Sequence, residues 1–134
     1  MLFALRVLGQ ALQHWAPLAF LPRFEEFQGS NLPYWVLLTM QLVILTWMVK
    51  MTVRVAVGVP TRKARASRIL AWVGGLYMLG SLARIAVGLA MADAPAWFTA
   101  WISGAFHVVL AGFVLTLAAY YANAPVTPDE ARAP

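Results

Sequence analysis

The chain has no cysteine, which excludes disulfides, thiolate-held metals and iron–sulfur ligation. Acidic residues are scarce. There are five, Glu25, Glu26, Asp93, Asp129 and Glu130, and all lie outside the long apolar runs. Proton relays and cation-coupled transporters usually place a carboxylate inside the membrane, so this distribution weighs against both. The two histidines, His14 and His107, fall at different expected depths, which disfavours a bis-histidine haem. Metalloprotease, P-loop and nucleophile-elbow patterns are missing. The chain reads as non-catalytic, with no metal site.

What it has in quantity is apolar length. Of its 134 residues, 62% are hydrophobic, and mean hydropathy is +0.73. A small soluble fold leaves too much surface exposed to hide that content. Three runs, 32–59, 69–92 and 96–122, each exceed the ~20 apolar residues that cross a bilayer as a helix. The expected fold class is an all-α integral membrane protein. It comprises an N-terminal segment (1–31), a three-helix transmembrane domain (32–123) and a polar tail (124–134).

Met1 to Trp15 read as a short amphipathic helix. Arg6, Gln10, Gln13 and His14 share a helical face, with Leu5, Leu8, Leu12 and Trp15 elsewhere on the wheel. Such a helix is expected to lie in the membrane interface. A signal peptide fits less well: Gln10, Gln13 and His14 interrupt its apolar stretch, and no small-x-small cleavage site follows. Ser30 or Asn31 is the expected cap of span one, with Pro33 in its first turn and Gly58 and Pro60 as its stop. Asp93 is the expected cap of span three, with Pro95 in the first turn. So short a link makes spans two and three an antiparallel hairpin.

Net charge is +5. In a soluble protein this would raise nucleic acid as a partner. Here Lys50, Arg54, Arg62, Lys63, Arg65 and Arg68, six of the ten basic residues, gather around the first connector. That pattern signals topology and attraction to lipid headgroups, not nucleic acid. The positive-inside rule places this connector and the C-terminus in the cytoplasm. The N-terminus and the Asp93 turn then face the other side, the periplasm if the membrane is a bacterial inner or intracytoplasmic one.

Polar residues inside the spans are the candidate site. Counted at 1.5 Å per residue from the same interface, Gln41 lies roughly 10 Å deep, Arg84 roughly 12 Å and His107 roughly 15 Å. An arginine at a helix centre costs at least about 2.5–3.5 kcal/mol, so it has a partner or a job. On span two, Tyr77, Gly80, Ser81, Arg84 and Gly88 share a side. On span three, Ala100, Ser103, Gly104, His107 and Ala111 do. Small residues at these spacings let helices approach closely, and Gly74-Gly75 reads the same way. Three readings follow. In the first, Arg84, bonded to Gln41, a carbonyl or His107, locks the bundle. In the second, His107 binds a pigment. In the third, Arg84, His107, Gln41 and Tyr77 supply donors to a quinone or lipid head, with Trp47, Trp101 and Phe106 as candidate walls.

The run Ser103-Gly104-Ala105-Phe106-His107 resembles the small-x-x-x-His segment of bacterial light-harvesting polypeptides. The resemblance covers one helical turn, and those polypeptides have one span where this chain has three. It implies a tetrapyrrole on His107 and a photosynthetic complex as the setting. The whole pattern resembles small three-span bacterial membrane proteins. The leading expectation is a non-catalytic accessory subunit of a larger photosynthetic or respiratory membrane complex, whose partners are other membrane subunits and lipids. The alternative is a quinone-, lipid- or tetrapyrrole-binding protein using Arg84 and His107.

Overall fold

A computed structural model describes residues 2–21, 32–58, 63–91, 93 and 95–124. The expected cap at Ser30 or Asn31, the Pro60 stop and the tail after Ala124 lie outside the described residues. The elements are α1 (Leu2–Trp15), α2 (Tyr34–Ala56), α3 (Ala64–Ala90), α4 (Ala96–Thr99) and α5 (Trp101–Asn123), with no strand among the described residues. Helices α2, α3 and α5 are long and apolar enough to cross a membrane. The fold is all-α and membrane-embedded.

Local chemistry explains the ends. The Pro33 carbonyl accepts from Val36 N at 3.0 Å and Leu37 N at 3.2 Å, opening α2. Gly58, at φ 74°, closes it in the left-handed conformation that glycine adopts without penalty. Hydroxyls along the spans fold back on their own helices. Thr39, Thr46, Thr52, Ser81 and Thr116 each donate to the carbonyl four residues earlier, which spares them a bare polar group in an apolar surrounding.

Two boundaries differ from expectation. Helix α3 begins at Ala64, so Arg65 and Arg68 stand on its first turns and not in the connector. Its 27 residues span roughly 40 Å, more than the ~30 Å hydrocarbon layer, so a charged end can project from it. The third span is not one helix from residue 96. Ala100, at ψ 66°, separates α4 from α5 and is itself the N-cap of α5. Asp93 lies exposed in the preceding turn and does not cap the long helix. The break follows from packing: the Phe98 carbonyl lies directly against Gly88 of α3, where a Cβ would overlap it.

Helices α3 and α5 form the antiparallel hairpin. Lys63 N donates to Tyr121 O at 3.3 Å, and Ser67 Oγ to Ala118 O at 2.8 Å. Further along, a Cβ on Gly74 would meet Leu115 at 3.0 Å, and one on Gly104 would meet Ile85 at 2.8 Å. Gly75 and Gly80 take no part, since nothing lies within 4 Å of a Cβ at either. Small and polar residues (Gly74, Ser81, Arg84, Ser103, Gly104, Ala111) make up most of the interior, with Ile102 and Leu117, while Trp72, Leu79 and Leu89 point outward. This reversal of a soluble core suits a lipid solvent.

Helix α1 obeys the same reversal. Its polar face is turned inward, burying Arg6 and Gln10 with Phe3 and Val7. Leu2, Leu5, Leu8, Leu12 and Trp15 are exposed. Its contacts descend along the bundle. His14 stacks on Tyr34 at 4.0 Å, Gln10 bonds Gln41, and the Arg6 guanidinium lies 5.5 Å from the Phe106 ring centroid.

A cavity between the N-terminal helix and the spans

Arg6 enters from α1, Gln41 from α2, Tyr77 and Arg84 from α3, and Ser103 and His107 from α5. All six line one cavity of about 250 Å³. Phe3, Leu37, Met40, Ile44, Phe106 and Leu110 supply its apolar wall. Met40 and Tyr77 on its rim are exposed, so the cavity opens towards the surroundings of the bundle. The four residues singled out from the sequence, Gln41, Tyr77, Arg84 and His107, therefore meet in one place.

Three of the polar side chains are deeply buried: Gln41 is 3% exposed, Arg84 7% and Arg6 6%. Gln41 Nε2 donates to Gln10 Oε1 at 2.9 Å. That single bond leaves Gln41 Oε1 and Gln10 Nε2 without a partner among the described residues. A buried amide atom so placed costs about 1–3 kcal/mol unless something satisfies it. The Tyr77 hydroxyl is hydrogen-bonded to His107 Nδ1. With the tyrosine donating, the neutral imidazole carries its proton on Nε2. The Arg6 guanidinium over Phe106 is a cation–π contact, stronger where water is excluded. Among the described residues, the charged side chains of the lining are Arg6 and Arg84, both positive.

Two expected walls are elsewhere. Trp47 packs edge-on against Phe113 at 5.8 Å, and Trp101 is exposed; neither lines the cavity. The contribution of α1 had no place in the expected site: Arg6 and Phe3 in the lining and Gln10 behind Gln41. Their signal was present in the polar stripe of α1. In a chain this apolar, such a stripe can be satisfied by other polar side chains as well as by water.

The Ile85 side chain lies in the space beside Gly104, and Tyr77 is hydrogen-bonded to Nδ1 of His107, which leaves Nε2 as the other ring nitrogen. The volume, about 250 Å³, is below the ~300–1,000 Å³ typical of whole-ligand pockets. It suits a headgroup or a single ring. Among the described residues, no group of three or more potential metal-ligating side chains occurs.

No family model, curated protein or solved structure matches this chain. The class that the fold defines is a helical membrane-embedded protein with three helices, among the described residues, long and apolar enough to cross a membrane, and the site's geometry carries the functional reading.

Proposed function

We propose that the protein binds the head of a membrane amphiphile, of the quinone or lipid class, in the cavity under α1. One observation carries this reading: six polar side chains from four helices converge on a head-sized space with an apolar wall. Donors supply orientation, and the wall continues to the exposed rim, where a tail can pass into lipid. In this reading α1 descends into the outer half of the membrane with its leucines towards lipid. The basic connector and the C-terminus are cytoplasmic, and the N-terminus faces the periplasm of a bacterial inner membrane.

The test is extraction and mass spectrometry of protein purified in mild detergent. One quinone or lipid species should co-purify in near-stoichiometric amount and be depleted in an Arg84→Leu variant. Wild-type protein carrying only bulk lipid, in the same proportions as the variant, would remove the proposal.

A second reading, an accessory subunit of a photosynthetic or respiratory complex, is favoured by α2. It buries only Tyr34 and Gln41 of its 23 residues and presents Trp35, Val36, Met40, Val43, Val49 and Val53 outward. Such a face suits a neighbouring helix as well as lipid. Cross-linking from Val43 and Val49 in native membranes should capture another membrane subunit. A protein that stays alone under those conditions is not an accessory subunit.

A further inference from the structure

We infer that the outward face at the basic end of α3 holds one anionic phospholipid, its phosphate on Arg65 and Arg68 and a chain along Ile69, Trp72 and Val73. These five side chains line one open groove of about 470 Å³. None of them borders the cavity under α1, so the inference stands apart from the reading of that cavity. All five are exposed. They lie on the side of α3 turned away from α5, because Ser67 and Gly74, which meet α5, are buried on the other.

Spacing sets the chemistry in order. Steps of three and four residues join Arg65 to Arg68 and Ile69, and these to Trp72 and Val73, so the five share a helical face. At 1.5 Å per residue, Trp72 stands roughly 6 Å beyond Arg68 along the axis, and Leu76 roughly 12 Å beyond it. Charge, then an indole with one N–H, then aliphatic side chains repeat the order of a phospholipid: phosphate, ester, acyl chain. Two guanidinium forks one turn apart match phosphate oxygens pairwise. Trp72, 72% exposed, has an apolar body for the chain and a donor for an ester carbonyl. The 27 residues of α3 outreach the hydrocarbon layer, which leaves the arginine pair at headgroup level.

Charge selects the head. A zwitterionic lipid brings its own cation to the arginines and gains less from them. Free phosphate gains nothing from Ile69, Trp72 or Val73. Lys50 and Arg54, at the same end of the bundle on α2, attract anions to that surface but do not line the groove.

The test is native mass spectrometry of the full chain in mild detergent. It is titrated with phosphatidylglycerol or with phosphatidylcholine of the same chains, and inorganic phosphate is added as a competitor. The first phosphatidylglycerol should bind about tenfold or more tightly than the first phosphatidylcholine. Arg65→Gln/Arg68→Gln should remove that preference. Lys50→Gln/Arg54→Gln, an equal loss of charge, should keep it. If the Arg65→Gln/Arg68→Gln protein loses its helical circular dichroism, Trp72→Ala decides in its place. That variant should weaken the first phosphatidylglycerol about fivefold or more, and unchanged affinity overturns the site.

A preference that survives the loss of Arg65 and Arg68 overturns the proposal, as does the absence of any preference in the wild type. A preference lost equally with Lys50 and Arg54 leaves diffuse attraction in place of a site and overturns it too. Displacement of phosphatidylglycerol by equimolar inorganic phosphate overturns the lipid as occupant.

Discussion

The two halves of this molecule are held together by different physics. In the hairpin of α3 with α4 and α5, glycines admit close neighbours: the Phe98 carbonyl against Gly88, the Ile85 side chain against Gly104, the Leu115 side chain against Gly74. In the α1–α2 half, side chains meet: Gln10 with Gln41, His14 with Tyr34, Trp15 with Trp35 at 6.1 Å. Helix α5 buries six of its 23 residues and α2 two of its 23. Small residues gain van der Waals contact that lipid cannot match, so they make a rigid pair. Long polar side chains bridge a wider gap and leave space beside them. The cavity lies where those two packing modes meet, with a fixed wall on one side and a more adjustable one on the other.

The comparison can be broken at its strongest point. Gly88→Leu places a side chain where the Phe98 carbonyl lies, and backbone cannot step aside as a side-chain tip can. We expect a loss of about 3 kcal/mol or more in detergent unfolding, with the α3–α5 pairing lost. A Gly88→Leu protein of wild-type stability would show that the close approach is not what holds the hairpin.

The α1–α2 half should respond to its polar pair. Gln10→Leu strands the Gln41 amide and should cost about 1–3 kcal/mol, whereas Gln10→Leu/Gln41→Leu should be close to neutral. A double-mutant cycle measures the difference. Purely additive losses would mean that the pair is incidental to docking α1.

Ser67→Ala removes the Ser67–Ala118 bond from the hairpin's basic end and should cost about 1 kcal/mol, seen as faster amide exchange there. The smallest effect has the opposite sign. Gly80→Ala meets nothing within 4 Å, so the gain in helix propensity should stabilise by about 0.5–1 kcal/mol. A destabilised Gly80→Ala protein would place Gly80 at a contact that the fold does not show.

Several of these features were legible in the residues. The three spans followed from apolar length, and the hairpin from the short link at Asp93. That Gln41, Arg84 and His107 reach one level of the bundle came from counting along helices of known rise. Tyr77 joined them because it shares a helical face with Arg84. Other features were not legible. Gly80 and Gly88 lie on the same side by periodicity, yet one is open and the other touches a carbonyl, because the α4 turn crosses only at Gly88. Trp47 read as a candidate cavity wall, but it packs against Phe113 because their helices are neighbours at that level.

By itself, then, the sequence determined an all-α class, three helices long and apolar enough to cross a membrane, and the level of each polar residue along its helix. These depend on hydrophobicity and rise per residue, which are local properties of one helix. Only the tertiary structure decided that α1 turns its charged face inward and that Arg6 joins Arg84 in one cavity. An amphipathic helix has two ways to satisfy itself, polar side to water or polar side to other polar side chains. The choice depends on what stands beside it, and periodicity along one helix carries no record of its neighbours.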